Sequence, residues 1–423
     1  MSGFEGGPAA DEGRQRRDSE PSVLKGGSVL LTGRLVVAVL GWAGTLVVAR
    51  QLSPTGWGGY SLVFSLIGLV GVLSDLRVSR QVLADIFEAG EDAGPVVGSY
   101  LAMRALTGVV AYAIAMAVVL LGDFPDEVVR AMAAAGLILV LVAPSSSLDV
   151  VLGARSWWST QALASVIGQV VQLGLILAVA AGRWGSIVRF AVPAVVCEVI
   201  VLWWKLRHVR RAMPVRMRVD LPRWKAWSRE SAAVVVGGAI ATVYFRVDSV
   251  ILSQLDTLRA VGLYGIGYKF SDLAGFVAVA VCTPALTLMV KSWPDDLAAF
   301  SRAFHQAFVI LVTAAVGLSV GFVVFASPLI ETLYGPRYTP AVGAARGLVA
   351  GQAINYFTTL CLFALLAVGR TRRYVVAATV GLVVNVVLNL VLIPAASYDG
   401  AAVATVVTEV LVLAILGAAT VTL

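Results

Sequence analysis

Gln51-Leu52-Ser53-Pro54, followed by Gly58-Gly59-Tyr60-Ser61, returns later in the chain as Gln254-Leu255-Asp256-Thr257, followed by Gly262-Leu263-Tyr264-Gly265. Both read Gln-Leu, a short polar loop, Gly-x-Tyr and then a long apolar run. The offset is about 204 residues, close to half of the 423. A repeat of that length, with a connection in the middle, predicts two related halves set about an axis along the membrane normal.

The membrane enters through composition. Hydrophobic residues make up 59% and charged residues 13%, against about 45–50% and about 25% in ordinary soluble domains. A soluble chain lacks the polar cover for that much apolar surface. This excludes a soluble enzyme, a disordered chain and a disulfide scaffold. Cys197, Cys282 and Cys361 each lie inside an apolar run, and the only histidines, His208 and His305, fall in or near connections. That argues against disulfides and against a His-based metal site.

Apolar runs near the length of a bilayer span, about 20 residues, occur at 27–49, 58–76, 96–121, 128–150, 159–181, 186–204, 231–254, 262–288, 305–326, 341–367, 374–394 and 400–421. The fold class expected is all-α integral membrane, with about 12 transmembrane helices in two six-helix lobes around a central cavity. The division is a disordered cytoplasmic tail over 1–26, an N-terminal lobe over 27–204, a basic cytoplasmic linker over 205–230 and a C-terminal lobe over 231–423. Pro144 and Ser145 to Ser147 are expected to interrupt the fourth span.

With the N-terminus inside, the inner segments hold about 21 Lys and Arg and the outer loops about 4, so both termini are expected to be cytoplasmic. The linker carries nine of these cations, Lys205 among them, with Trp224 and Trp227. Its plain reading is contact with anionic membrane lipid. No folded domain surrounds it, so no nucleic-acid role is expected. Every outer loop is short, which counts against a membrane polymerase or ligase with an extramembrane catalytic loop.

Ionisable groups inside spans are costly and so are candidate functional residues. Arg34 lies about 10 Å into the first span, from where it either faces the lumen or snorkels. Arg246 and Asp248 are two apart and point to different sides, so each needs its own partner. Lys269 and Asp272 are three apart and share a face, which permits an ion pair. Arg246 and Lys269 both fall roughly 10–13 Å below the outer surface and could converge on one anion. Arg104 and Arg346 are further cations, either in the cavity or near span ends. Glu198 and Glu409 take matching places in the sixth and twelfth spans, as proton or cation carriers or as structural partners. Asp75 and Asp149 read as interfacial caps, and Asn385 and Asn389 as interhelical hydrogen-bonders. The surplus of cations favours an anionic ligand, and guanidinium suits phosphate oxygens.

Ala49-Arg50-Gln51-Leu52-Ser53-Pro54 with Gly56-Trp57-Gly58-Gly59-Tyr60-Ser61 resembles the first loop of Wzx-type polysaccharide flippases. Asn389-Leu390-Val391-Leu392-Ile393-Pro394 with Gly400-Ala401-Ala402-Val403-Ala404-Thr405 resembles their last two spans, and Arg246, Asp248 and Val261-Gly262-Leu263-Tyr264 also fit. The resemblance implies the multidrug/oligosaccharidyl-lipid/polysaccharide exporter superfamily, with two lobes forming a V. It implies flipping of an undecaprenyl-diphosphate-linked saccharide to the outer leaflet of the cell membrane, not an enzymatic reaction. The roles it suggests are Arg34, Arg246, Lys269, Arg104 and Arg346 on pyrophosphate, with Asp248, Asp272, Glu198 or Glu409 coupling an ion or serving structure. No cofactor is expected: the Gly-x-x-x-x-Gly-Lys-Ser/Thr phosphate loop is absent from the sequence. Partners are the lipid-linked saccharide, anionic lipid and polysaccharide polymerase or glycosyltransferases. Lipid II flippases of the superfamily carry two more C-terminal spans, and drug exporters often place an acid in the first span, where this chain has Arg34. The competing readings are an ion-coupled drug or metabolite antiporter on the same fold, a membrane polymerase or ligase, and a scaffold for polysaccharide enzymes.

Overall fold

The computed structural model describes residues 9–75, 78–182 and 185–421. Of the tail expected over 1–26, residues 1–8 lie outside that range, as do Arg77 and Arg183 from the charge count. The described residues form helices and no strand: α1 (Ala9–Gln51), α2 (Pro54–Ser74), α3 (Ser79–Ala89), α4 (Gly94–Leu121), α5 (Asp126–Ala135), α6 (Leu137–Ala154), α7 (Trp158–Ala181), α8 (Ile187–Ala212), α9 (Leu221–Leu255), α10 (Leu258–Ser292), α11 (Leu297–Tyr334), α12 (Val342–Ala367) and α13 (Thr371–Val421). Short 3₁₀ turns fill Gly90–Asp92 and Pro336–Ala341. Ten helical stretches are long and apolar enough to cross a membrane. In hydrocarbon a helix is one of the few ways to satisfy every backbone N–H and C=O, which is why apolar runs of this length fold so. Their outward faces carry exposed apolar side chains, such as Ile310, Val316, Val320 and Val324 on α11.

Helix α13 is a hairpin. Its backbone leaves helical geometry at Ala396 and Ser397, and the Ser397 hydroxyl donates to Asp256 there. The two arms run antiparallel: Arg373 donates to the Ala419 carbonyl at 2.8 Å, and Asn385 to Thr408 Oγ1 at 3.5 Å.

Within residues 9–212, α1 packs on α7, α7 on α8, α8 on α5 and α6, and α4 on α2 and α6. Within 221–421, α12 packs on α10, α11 and α13, and α9 on α13. The two sets meet mainly where α2 crosses α10 and α9. That crossing shows the repeat at atomic detail. Ser53 caps α2 by accepting from the Gly56 amide, and Thr257 caps α10 by accepting from the Ala260 amide. Such caps satisfy orphan donors at a helix start. Gly58 faces Leu258, and Gly262 faces Pro54. A Cβ at Gly58 would overlap the Leu258 carbonyl oxygen and lie 2.7 Å from its carbon; one at Gly262 would overlap the Pro54 oxygen and lie 3.1 Å from its carbon. Helix ends, caps and crossing glycines all keep one offset of 204 residues. Gln51 therefore corresponds to Leu255, and the two Gln-Leu pairs, which suggested the repeat, stand one residue out of register.

Two local expectations change. Helix α6 continues through Pro144, with the Ser146 and Ser147 hydroxyls donating to the Ala143 carbonyl at 3.0 and 2.9 Å; the break falls earlier, at Gly136 between α5 and α6. The segment taken as a linker from 205 is helical to Ala212 and again from Leu221.

Candidate functional site

Two chambers adjoin the seam between the two sets of helices. The first, of about 340 Å³, lies among α1, α2, α7, α9 and α10. Its polar lining comes from Ser61 and Ser65 of α2, Gln169 and Gln172 of α7, Arg246 of α9, and Lys269 and Asp272 of α10. The second, of about 400 Å³, runs among α9, α10, α12 and α13, and holds Gln352, Asn355 and Glu409. Arg246, Tyr268 and Asp272 line both and stand between them.

Arg246 stands 3.7 Å from the Asp272 carboxylate, with both side chains about two-fifths exposed. Its guanidinium also lies over the Tyr268 ring, 5.8 Å from the centroid, a favourable cation–π arrangement. Asp272 thus pairs across helices with Arg246, although its spacing from Lys269 also permitted a pair. Lys269 has no carboxylate within 4.0 Å among the described residues. The first chamber therefore presents two cations against one carboxylate, a surplus of positive charge.

Asp248 lies behind this wall, 2% exposed. It accepts hydrogen bonds from Tyr264 at 2.6 Å, from Tyr268 and from the Ser249 amide at 2.7 Å. The carboxylate fixes the Tyr268 ring on which Arg246 rests. Glu409, 3% exposed, accepts from Tyr244 at 2.8 Å and from Asn355 Nδ2 at 3.1 Å.

The remaining candidates stand elsewhere. Arg104 is 4% exposed and lines neither chamber. It donates to the Ser74 carbonyl, to the Ala143 carbonyl at 3.2 Å and to Ser146 Oγ at 2.9 Å, and lies 3.8 Å from Asp75. It ties the end of α2 to α6. Arg346 is exposed and donates to the Val323 carbonyl at 2.7 Å, joining α12 to α11. Arg34 is exposed on α1, and its charge acts on Asp149. Glu198 lines a third, smaller chamber of about 240 Å³ among α1, α6, α7 and α8, with Asp149, Lys205 and Gln169. Lys205, assigned from sequence to the linker, is 3% exposed and pairs with Asp149 at 2.7 Å. Gln169 lines both this chamber and the first. Sequence reasoning also passed over Gln169, Gln172, Gln352 and Asn355; a carboxamide inside an apolar run was the available signal. Among the described residues, no group of three His, Cys, Asp or Glu side chains is placed to hold a metal ion.

A polytopic helical bundle with a polar, net-cationic chamber at the seam between its halves defines a class of membrane protein, and known structures share its fold. Lipid II flippase MurJ, in an inward closed conformation, superposes with a TM-score of 0.76 at 13% identity, over 92% of this chain and 87% of that one. An inward-facing MATE-family multidrug resistance transporter of the MOP superfamily gives 0.75 at 12%, over 93% and 98%. A MOP superfamily transporter from Pyrococcus furiosus, described as having a binding pocket of reverse polarity, gives 0.61 at 10%, over 95% of each chain. The chain belongs to the polysaccharide biosynthesis protein family, whose pattern matches residues 47–343. No curated protein matches it in sequence.

Proposed function

We propose that this protein is a flippase that carries an undecaprenyl-diphosphate-linked saccharide from the cytoplasmic to the outer leaflet by alternating access. The observation that carries the reading is the seam chamber, with Arg246 and Lys269 against Asp272 alone and with Ser and Gln side chains around them. Guanidinium and ammonium suit the pyrophosphate. Carboxamides and hydroxyls suit the sugar hydroxyls, whose unpaired burial in hydrocarbon would be prohibitive. The lipid tail stays in the bilayer while the head group crosses. In this reading α9 and both arms of α13 also span, giving twelve crossings in two six-helix lobes, with both termini cytoplasmic. Membership of a polysaccharide biosynthesis family supports the saccharide. In this reading the protein acts as a transporter, in keeping with the flippase and transporter structures that share its fold.

A second reading, an ion-coupled drug or metabolite antiporter, draws on Glu409 and Asn355 in the second chamber. The test is the leaflet distribution of undecaprenyl-diphosphate-linked saccharide in cells lacking the protein, complemented with wild type or Arg246→Ala. The flippase reading expects inner-leaflet accumulation corrected by wild type and not by Arg246→Ala. An unchanged distribution in the deletion strain would move the assignment to the antiporter.

A further inference from the structure

The connection between the halves is a docked strap. Residues 213–220 run across the start of α4 with their backbone against two glycines. The Pro214 carbonyl oxygen occupies the place of a Cβ on Gly94, with its carbon 3.3 Å away. The Arg216 carbonyl does the same at Gly98, with its carbon 2.7 Å away. Met213 is buried and Val215 packs beside it, against Val96, Val97 and their neighbours. The first turns of α9 complete the attachment. Trp224 donates to Ser99 Oγ at 2.9 Å, Trp227 donates to Asp85 at 3.2 Å, and Arg223 lies 3.4 Å from Asp85. The tryptophans, expected to lie on lipid, are used on protein.

What this docking leaves outside is unlike its inner face. Arg210, Arg211, Arg216, Arg218, Lys225 and Arg229 are exposed, and none has a carboxylate within 4.0 Å among the described residues. Between them Met217, Val219 and Leu221 are 60%, 64% and 64% exposed. The adjacent helix α3 buries Val82 and Ile86 and leaves Phe87 67% exposed. A purely basic face would suit any polyanion. Cations interleaved with outward apolar side chains, held where α8 ends and α9 begins, suit the boundary between anionic head groups and acyl chains.

We propose that the strap is a binding platform for anionic phospholipid, with Arg216 and Arg218 on head-group phosphates and Met217, Val219 and Leu221 in the acyl boundary. The platform is independent of the transported substrate.

The test uses the full chain in nanodiscs. Met217→Cys is labelled with an environment-sensitive fluorophore; the natural cysteines Cys197, Cys282 and Cys361 are buried. Quenching by a lipid carrying a spin label near its head group is followed as phosphatidylglycerol replaces phosphatidylcholine. The platform expects quenching to rise with phosphatidylglycerol and to fall with added salt. Arg216→Gln should raise the phosphatidylglycerol fraction for half-maximal quenching about fivefold, the effect of one cation near a charged surface. Quenching equal in neutral and anionic discs, or insensitive to both salt and Arg216→Gln, would overturn the proposal. So would a strap that ignores lipid and instead crosslinks in cells to an acidic protein. The salt titration needs no further substitution, so the result stands even if Arg216→Gln folds poorly.

Discussion

Gly58→Ala is the sharpest perturbation of this architecture. A methyl there overlaps the Leu258 carbonyl oxygen and lies 2.7 Å from its carbon and 2.9 Å from the Gly262 nitrogen, whereas ordinary contact begins at 3.4 Å. The obstacle is the backbone of α10, so no side chain can rotate away. The two helices must part by more than about 0.7 Å, the shortfall at the Leu258 carbon from 2.7 to 3.4 Å, because the carbonyl oxygen lies nearer still. A gap of that order forfeits a quarter to a half of each dispersion contact along the crossing. Overpacking commonly costs about 1–3 kcal/mol, and a backbone obstacle places this case at about 3 kcal/mol. At about 2.1 cal/mol/K of unfolding entropy per residue, a chain of 423 residues should lose roughly 3–4 °C in melting temperature, measured on purified protein in detergent. Gly174, with nothing within 4 Å of a Cβ, is the control; Gly174→Ala should be neutral or gain up to about 1 kcal/mol. The crossing also makes a non-additive forecast. Parting α2 from α10 for Gly58→Ala relieves the clash of Gly262→Ala, so the double variant should cost less than the two single losses together. Wild-type stability of Gly58→Ala, or strict additivity, would refute the geometry.

Arg104→Ala should destabilise by about 2–4 kcal/mol, because the buried Ser74 and Ala143 carbonyls lose a charged donor; thermal unfolding checks it, with exposed Arg346→Ala costing much less. Lys205→Met should cost about 1.5–3 kcal/mol by removing the charged donor beside Asp149, and Lys205→Met with Asp149→Leu should recover most of that; a double variant no better than the single would show that the pair does more than neutralise charge. For topology, a cysteine at Asp123 should react with an impermeant thiol reagent applied outside intact cells, and one at Ser228 should not; the reverse pattern would invert the orientation.

Ten stretches long and apolar enough to cross a membrane coincide with the apolar runs, because length and hydropathy are local properties of a bilayer-crossing helix; the run at 231–254 falls in α9, which is not among the ten, and those at 374–394 and 400–421 share α13. The seam cations were also legible: Arg246 and Lys269 stand out because charge inside a span is rare. Facing was not legible. A helix apolar on every side, as α13 is, gives no stripe to orient it, so Arg104 and Arg346 looked like Arg246 although one ties α2 to α6 and the other joins α12 to α11. Lys205 was hidden in a run of basic residues, and only the continuation of α8 to Ala212 turns it inward onto Asp149. The docking of the strap escaped notice because its cause, two glycines on α4, lies more than a hundred residues earlier in the chain.

The seam also bears on how such a chain could arise. Gly58 meets Leu258 and Gly262 meets Pro54, and each pair becomes the other when the two halves are exchanged at the 204-residue offset. That is the signature of an isologous contact, in which one patch binds its own copy. Two separate copies of a single half, each carrying the capping hydroxyl and the crossing glycine, would already possess this joint. Fusion of the two genes would then free the copies to diverge, so that Arg246, Lys269 and Asp272 are held by one half and face Gln169 and Gln172 from the other.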